Sequence, residues 1–246
     1  MHSWSFPSFP KPRSHLSVLP DLQWLLKFIL FSHPMTHTAS LVWITPDAES
    51  LVGKIARVSN PKNENNPEVS KLLSYLIKNK HWSPFEMASM CVEIHTTRSI
   101  AAQILRHRSF SFQEFSQRYA EVISDPVIPE LRRQDTKNRQ NSIDDLDPLD
   151  VQHFQLQLKQ HYQQSQYLYT QMLKAGVAKE CAREVLPLST PSRLYMSGTL
   201  RSWIHYTDLR SANGTQAEHQ QIALAVQEIL RQEVPTIYQA VHGSCN

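Results

Sequence analysis

The segment 106–119 reads RHRSFSFQEFSQRY and carries more chemistry than any other stretch of the chain. Arg106, His107 and Arg108 are consecutive cations, two permanent and one switchable. They repel one another unless an anion sits among them, and guanidinium forks match phosphate or carboxylate oxygens in bidentate fashion. A short basic cluster is also a common solvated face, so charge alone leaves both readings open. Beyond the triplet, Ser111, Glu114, Ser116 and Arg118 alternate with Phe110, Phe112, Phe115 and Tyr119. Polar groups interleaved with rings suggest a half-buried lining, and the segment reads as an anion-binding site.

Two further groups could join it. Arg201, His205 and Asp208 stand at i, i+4 and i+7, which brings all three to one side of a helix, and Arg210 closes the same run. By itself Arg210 is equally a helix-end cation balancing the dipole. His81-Trp82-Ser83-Pro84-Phe85-Glu86 is a weaker signal, since Ser-Pro can be simply a turn or helix cap.

Elements must hold these side chains. Residues 40–44 form an apolar run suited to a strand, and Thr45-Pro46-Asp47 reads as a helix start with Thr as N-cap and Pro in the first turn. Leu51, Val52, Ile55 and Val58 repeat at helical spacing, and a second helix is expected from Asn66-Pro67 with Val69, Leu72, Leu73, Leu76 and Ile77 on one face. Residues 87–97 alternate as a strand, with Met90, Val92 and Ile94 on one side, and 100–105 reads as a helix that places the triplet at its carboxyl end.

Farther along, 125–150 reads as a polar loop, and 151–174 as an amphipathic helix with Val151, Phe154, Leu158, Tyr162, Tyr169 and Met172 in one stripe and Gly176 as its stop. A shorter helix at 178–185, a strand at 194–197 and a helix at 200–209 follow. The last long helix is expected to open with a Thr215–Glu218 capping box and to run to Pro235. Helices and few strands in mixed order predict one α+β domain with a small mixed or antiparallel sheet.

Composition sets limits. At 246 residues with 41% hydrophobic and 19% charged residues the chain can build a sizeable core. A net charge of +3 is too mild to demand a nucleic-acid partner. The five scattered glycines include no Gly-rich phosphate turn, and Cys91, Cys181 and Cys245 make neither a disulfide framework nor a zinc motif. A reducing cytoplasm is the expectation, with no membrane span: the apolar run 22–31 is too short. Residues 1–34 read as an extension, with Met35 as an alternative start of translation and 35–246 as the folded domain.

On its motif the chain resembles the flavin-dependent thymidylate synthases. Their signature is an Arg-His-Arg triplet, a Ser, a second Ser and Arg-Tyr at fixed spacing, and Arg106, His107, Arg108, Ser111, Ser116, Arg118 and Tyr119 match it. The resemblance runs from about residue 41 to about residue 238. It implies a thymidylate synthase-complementing fold and reductive methylation of dUMP to dTMP. The implied one-carbon donor is 5,10-methylenetetrahydrofolate, the cofactor FAD reduced by NADPH, and the product folate tetrahydrofolate, without a Cys nucleophile. It also implies a homotetramer with active sites at subunit interfaces.

Carried over residue by residue, the dUMP contacts are Gln103, Ile104, Leu105 and Arg106 from one subunit, and Glu114, Phe115, Ser116, Gln117 and Arg118 from another, with Arg183 and Arg210. Arg210 is expected to stabilise ionisation at N3 of the pyrimidine, as a permanent cation can without exchanging a proton. The flavin contacts are Ser83, Arg106, His107, Arg108, Glu114, Thr199, Leu200, Arg201 and His205. Thr199 and His205 stand where Asn is common in the family, and 211–218 also departs from its commonest version. Two competing readings remain: a nucleic-acid module using the arginines and Phe110, Phe112 and Phe115, and a metal-dependent hydrolase drawing on His81, Glu86, His107 and His205.

Overall fold

Met90, Val92 and Ile94 alternate along one strand, and all three are fully buried in a computed structural model that describes residues 37–243. The expectations for residues 1–34 lie outside the described residues. In chain order the elements are β1 (Thr38–Ile44), α1 (Ala48–Ala56), α2 (Ser70–Lys78), β2 (Ser89–Thr97), α3 (Arg98–Ile104), β3 (Ser111–Glu114), β4 (Arg133–Gln134) and β5 (Ser142–Ile143). There follow α4 (Pro148–Lys174), α5 (Lys179–Ala182), β6 (Pro191–Thr199), α6 (Leu200–Ser211), α7 (Ala217–Glu233) and α8 (Pro235–His242). The described residues thus build the expected α+β fold. Its main sheet has the order β1-β2-β6-β3, and every neighbouring pair is antiparallel.

One face of that sheet forms the core. Met90, Val92 and Ile94 of β2 and Leu194 and Met196 of β6 pack with Val52, Leu73, Ile100, Trp203, Ile222, Val226 and Ile237 from the helices. Burial of this apolar surface is the main stabilising term. Trp203 is also oriented, because its Nε1–H donates to the Met90 carbonyl at 2.9 Å, which ties α6 to β2. A smaller cluster of Val122, Tyr169 and Ala182, with Phe115 and Met172 against it, holds the carboxyl half of α4. The Tyr169 hydroxyl accepts from the Val122 backbone N–H at 3.0 Å there.

Several helix boundaries differ from expectation for local reasons. Thr45 does not cap α1: its hydroxyl accepts from Ser89 N–H at 2.9 Å and donates to the Ser89 carbonyl, so it stitches the end of β1 to β2. The helix starts instead after Asp47, which has φ 48° and makes no side-chain cap bond. Asn66 forms a turn by accepting from Glu68 N–H at 2.9 Å, and α2 begins only at Ser70. The capping box of the last long helix is absent, since the N-cap is Gln216 and Glu218 is taken by Arg132 at 2.6 Å. The helix read as 151–174 opens earlier, at Pro148, with Asp147 accepting from Leu149 N–H at 2.8 Å. Within its stripe Tyr169 is buried whereas Phe154 is exposed. The loop 125–150 encloses the short β4–β5 hairpin.

Candidate active site

The triplet sits where α3 unwinds. Its last-turn bonds, Arg106 N–H to the Gln103 carbonyl at 3.4 Å and His107 N–H to the Ile104 carbonyl at 3.1 Å, carry the backbone past the helix end. Phe110 then anchors the chain. Its ring lies 4.7 Å from that of Trp203 and 5.9 Å from that of Tyr206, centre to centre. It also covers Gly198 so closely that a Cβ there would come 2.5 Å from the ring. A side chain at 198 would therefore push the Phe110 ring away, and with it the segment that carries His107.

His107 turns back onto α6. Arg210 donates its Nε–H to His107 Nε2 at 3.0 Å, so that nitrogen must be a bare lone pair and the imidazole neutral, with its proton on Nδ1. Its pKa is lowered to about 4, first by burial and then by the Arg210 and Arg106 charges. Three rings wall it in nearly edge to face: Tyr206 at 5.0 Å, His219 at 6.1 Å and Phe110 at 6.5 Å. Among the described residues, Arg106, Arg108 and Arg210 have no carboxylate partner, whereas Arg98, Arg118, Arg132, Arg133, Arg201 and Arg231 each have at least one. The Arg106 and Arg210 charges beside a neutral imidazole, with no carboxylate paired to them, make a site for an anion.

Of the expected flavin residues, Ser83, Thr199, Leu200, Arg201 and His205 lie along α6 and the turn before β2, whereas Arg106, His107 and Arg108 follow α3 and Glu114 ends β3. Ser83 is exposed at the start of a 3-10 turn, Ser83–Glu86. Glu86 pairs with Arg201, and the Trp82 ring lies 4.7 Å from that of His205. Burial is the main cause of the lowered His205 pKa, followed by Arg201, with Asp208 opposing. Thr199 is the N-cap of α6, accepting from Ser202 N–H at 3.3 Å. The Leu200 side chain lies in the core, and its N–H is given to the Ala88 carbonyl.

The expected nucleotide residues fall into two groups. In the first, Gln103 donates to Gln216 Oε1 at 2.7 Å, Ile104 is in the core, Leu105 is partly exposed and Arg106, like Arg210, bears its charge on His107. In the second, Glu114 accepts from Arg98 Nη1 and Ser192 Oγ, each at 2.7 Å. Phe115 packs in the smaller core and Gln117 is buried with Nε2 unpartnered. The Ser116 carbonyl accepts from Tyr119 and Ala120 N–H, Arg118 pairs with Glu180 at 3.0 Å, and Arg183 lies 3.5 Å from Glu184. No hydrogen bond or ion pair joins the two groups among the described residues. They occupy opposite ends of β3, whose four residues span about 10 Å at the usual rise per residue.

Arg98, Ser192, Tyr206 and His219 are additions that the motif reading missed. Arg98 and Ser192 reach Glu114 from 16 and 78 residues away, separations at which no local pattern speaks. His219 did leave a trace, a polar residue in register with the apolar stripe Ile222, Val226 and Leu230 of α7. An open polar depression of about 420 Å³ beside Arg132, Asn141, Asn213 and Gln220 contains none of the expected residues. Among the described residues no group of three His, Cys, Asp or Glu is placed to hold a metal ion. No described helix is long and apolar enough to cross a membrane.

Comparison with known proteins identifies the family and the fold. The family described as "Thymidylate synthase complementing protein" matches residues 40–236. A probable flavin-dependent thymidylate synthase of Paramecium bursaria Chlorella virus 1 is 54% identical over 195 residues, 79% of this chain and 90% of the relative. The flavin-dependent thymidylate synthase of Synechocystis sp. is 51% identical over 193 residues, 78% of this chain and 89% of the relative. Among solved structures, the UMP/dUMP methylase PolB from Streptomyces cacaoi, bound with 5-Br dUMP, superposes with a TM-score of 0.76 at 28% identity. That match covers 84% of this chain and 95% of the other.

Proposed function

Since the chain belongs to the flavin-dependent thymidylate synthase family, we propose that it converts dUMP to dTMP by reductive methylation, with 5,10-methylenetetrahydrofolate as carbon donor and FAD reduced by NADPH. The observation that carries this reading is the pair Arg106 and Arg210 beside neutral His107, with exposed Arg108 next in sequence and none of the three paired to a carboxylate among the described residues. A nucleotide phosphate or an ionising pyrimidine would supply the missing negative charge. The 5-Br dUMP held by the related methylase supports a pyrimidine nucleotide over other anions.

The residues fit a flavin nucleotide as well. Arg106 and Arg108 offer forks for its phosphates, while Ser83, Thr199, Arg201 and His205 supply polar groups along α6 beside the Trp82 ring. Bound there, the flavin would supply the reducing equivalents. Arg210 has the complementary duty. Its Nε is spent on His107, which leaves the two terminal nitrogens of the fork for a pyrimidine oxygen and N3. The guanidinium favours loss of the N3 proton electrostatically and makes the ring more nucleophilic without a Cys. Burial pushes the Cys91 thiol up, away from the thiolate a nucleophile needs.

The split nucleotide residues support a homotetramer in which Gln103, Leu105, Arg106 and Arg210 of one copy face Glu114, Ser116, Arg118 and Arg183 of another. Exposed Leu149, Phe154, Leu156, Tyr167 and Leu168 along α4 are suited to such an interface. A cytoplasmic location is proposed with it. Residues 35–246 are proposed as the domain and 1–34 as an extension. The family match begins at residue 40, which supports that division. Anaerobic incubation with dUMP, methylenetetrahydrofolate, FAD and NADPH tests the reaction: dTMP should form only when all four are present. An active mixture lacking flavin would overturn the scheme.

A further inference from the structure

Behind His107 lies a second polar pair that the proposed chemistry does not use. His219 is fully buried on α7, and its Nε2 lies 3.1 Å from the hydroxyl of Tyr206, itself only 2% exposed on α6. The other nitrogen of His219, Nδ1, has no partner. Apolar side chains would fill this space without the cost of burying a phenol and an imidazole, since buried polar groups stabilise only when fully satisfied. What the pair adds is orientation. A hydroxyl–imidazole bond fixes the rotation of both rings, and these are two of the three rings that wall in His107.

Tyr206 also precedes Arg210 by one helical turn, so ring and guanidinium leave the same side of α6. We propose that Tyr206 and His219 are positioning residues for Arg210: their bonded rings hold His107 in the Nδ1–H form, with Nε2 turned to Arg210. The guanidinium is thereby kept in one rotamer with its terminal nitrogens facing the anion site. This assignment rests on Arg210 being the nucleotide-binding group of the proposed function.

The charges around the pair are consistent with neutral rings. Arg210 and His107 face His219, and Arg106 faces His107; burial, then Arg210, then His107 lower the pKa of His219 to about 4. No carboxylate contributes to either shift, so nothing nearby favours an imidazolium.

The test uses the full chain labelled with 15N-histidine, read by long-range proton–nitrogen correlation at pH 7 alongside calorimetric binding of dUMP. Native protein should give a single His107 signal of the Nδ1–H tautomer. Tyr206→Phe and His219→Leu should each give averaged tautomers and about tenfold weaker dUMP binding. The double variant Y206F/H219L removes both buried polar partners and so should recover most of the thermal stability lost by the single variants. Its tautomer averaging and weak binding should persist. A double variant with a native His107 signal and native affinity would overturn the proposal, because the pair would then merely fill space. Native protein that fails to bind dUMP would instead sink the functional reading, and the imidazole signals of the variants would still decide whether the pair sets the His107 tautomer.

Discussion

Arg98 and Glu114 meet at 2.7 Å, joining the first turn of α3 to the last residue of β3. The triplet lies between them in sequence, at the far end of α3, so this ion pair closes the loop that presents Arg106, His107 and Arg108. Ser192 completes the clasp with a second bond to the same oxygen of Glu114. Arg98→Met should lower stability by no more than about 1 kcal/mol, because the guanidinium is partly solvated. Binding should suffer more, with dUMP affinity down roughly five- to tenfold. Thermal melts and calorimetry on the same preparation separate the two effects.

Arg210→Ala should abolish dTMP formation with the far-ultraviolet circular dichroism unchanged. Arg210→Lys should recover little, below about one hundredth of native turnover, because an ammonium has no fork to serve His107 and the nucleotide together. Near-native activity in the lysine variant would remove the planar guanidinium from the chemistry.

Acid should destabilise the protein in a defined window. His107 and His219 ordinarily titrate near 6.5 and are held near 4 in the fold, so the unfolded chain binds their protons first as the pH drops. Stability is fully retained above pH 6.5, declines between 6.5 and about 4, and loses nothing more from these groups below that. His37, His205 and His242, also lowered by burial, act with the same sign. Melting temperature followed from pH 7.5 to 4 should fall less steeply in His219→Leu than in the native chain.

Replacing Cys91, Cys181 and Cys245 together by Ser should leave turnover within about threefold of native. Cys91 is buried, and its exchange for a hydroxyl should cost about 1 kcal/mol in stability. A folded triple variant without activity would point to a thiol in the reaction.

The sequence made the triplet, its place at a helix end, the helix bearing Arg210 and the central alternating strand legible, because each is written in residues close together. Thr45 and Glu218 misled for one shared reason. Both look like helix-starting residues, but each found a tertiary partner, the Ser89 backbone and Arg132, that outweighed the local bond. Arg98, Ser192 and Tyr206 could not be assigned to the site from spacing, since their roles arise only when β6 and α6 are folded against β3 and α3. The fate of residues such as Ile104 and Leu200, carried over by resemblance but lying in the core, also needed the fold. Any ligand contact there falls to the backbone.

Gly198 illustrates how a residue can belong to a reaction centre by leaving room. It has no side chain to offer a ligand, yet the aromatic plate resting on it sets the path of the triplet. Saturation mutagenesis scored by growth on thymidine-free medium should therefore find position 198 nearly as intolerant as the arginines, even toward alanine, and for want of room for one methyl group rather than for any lost bond.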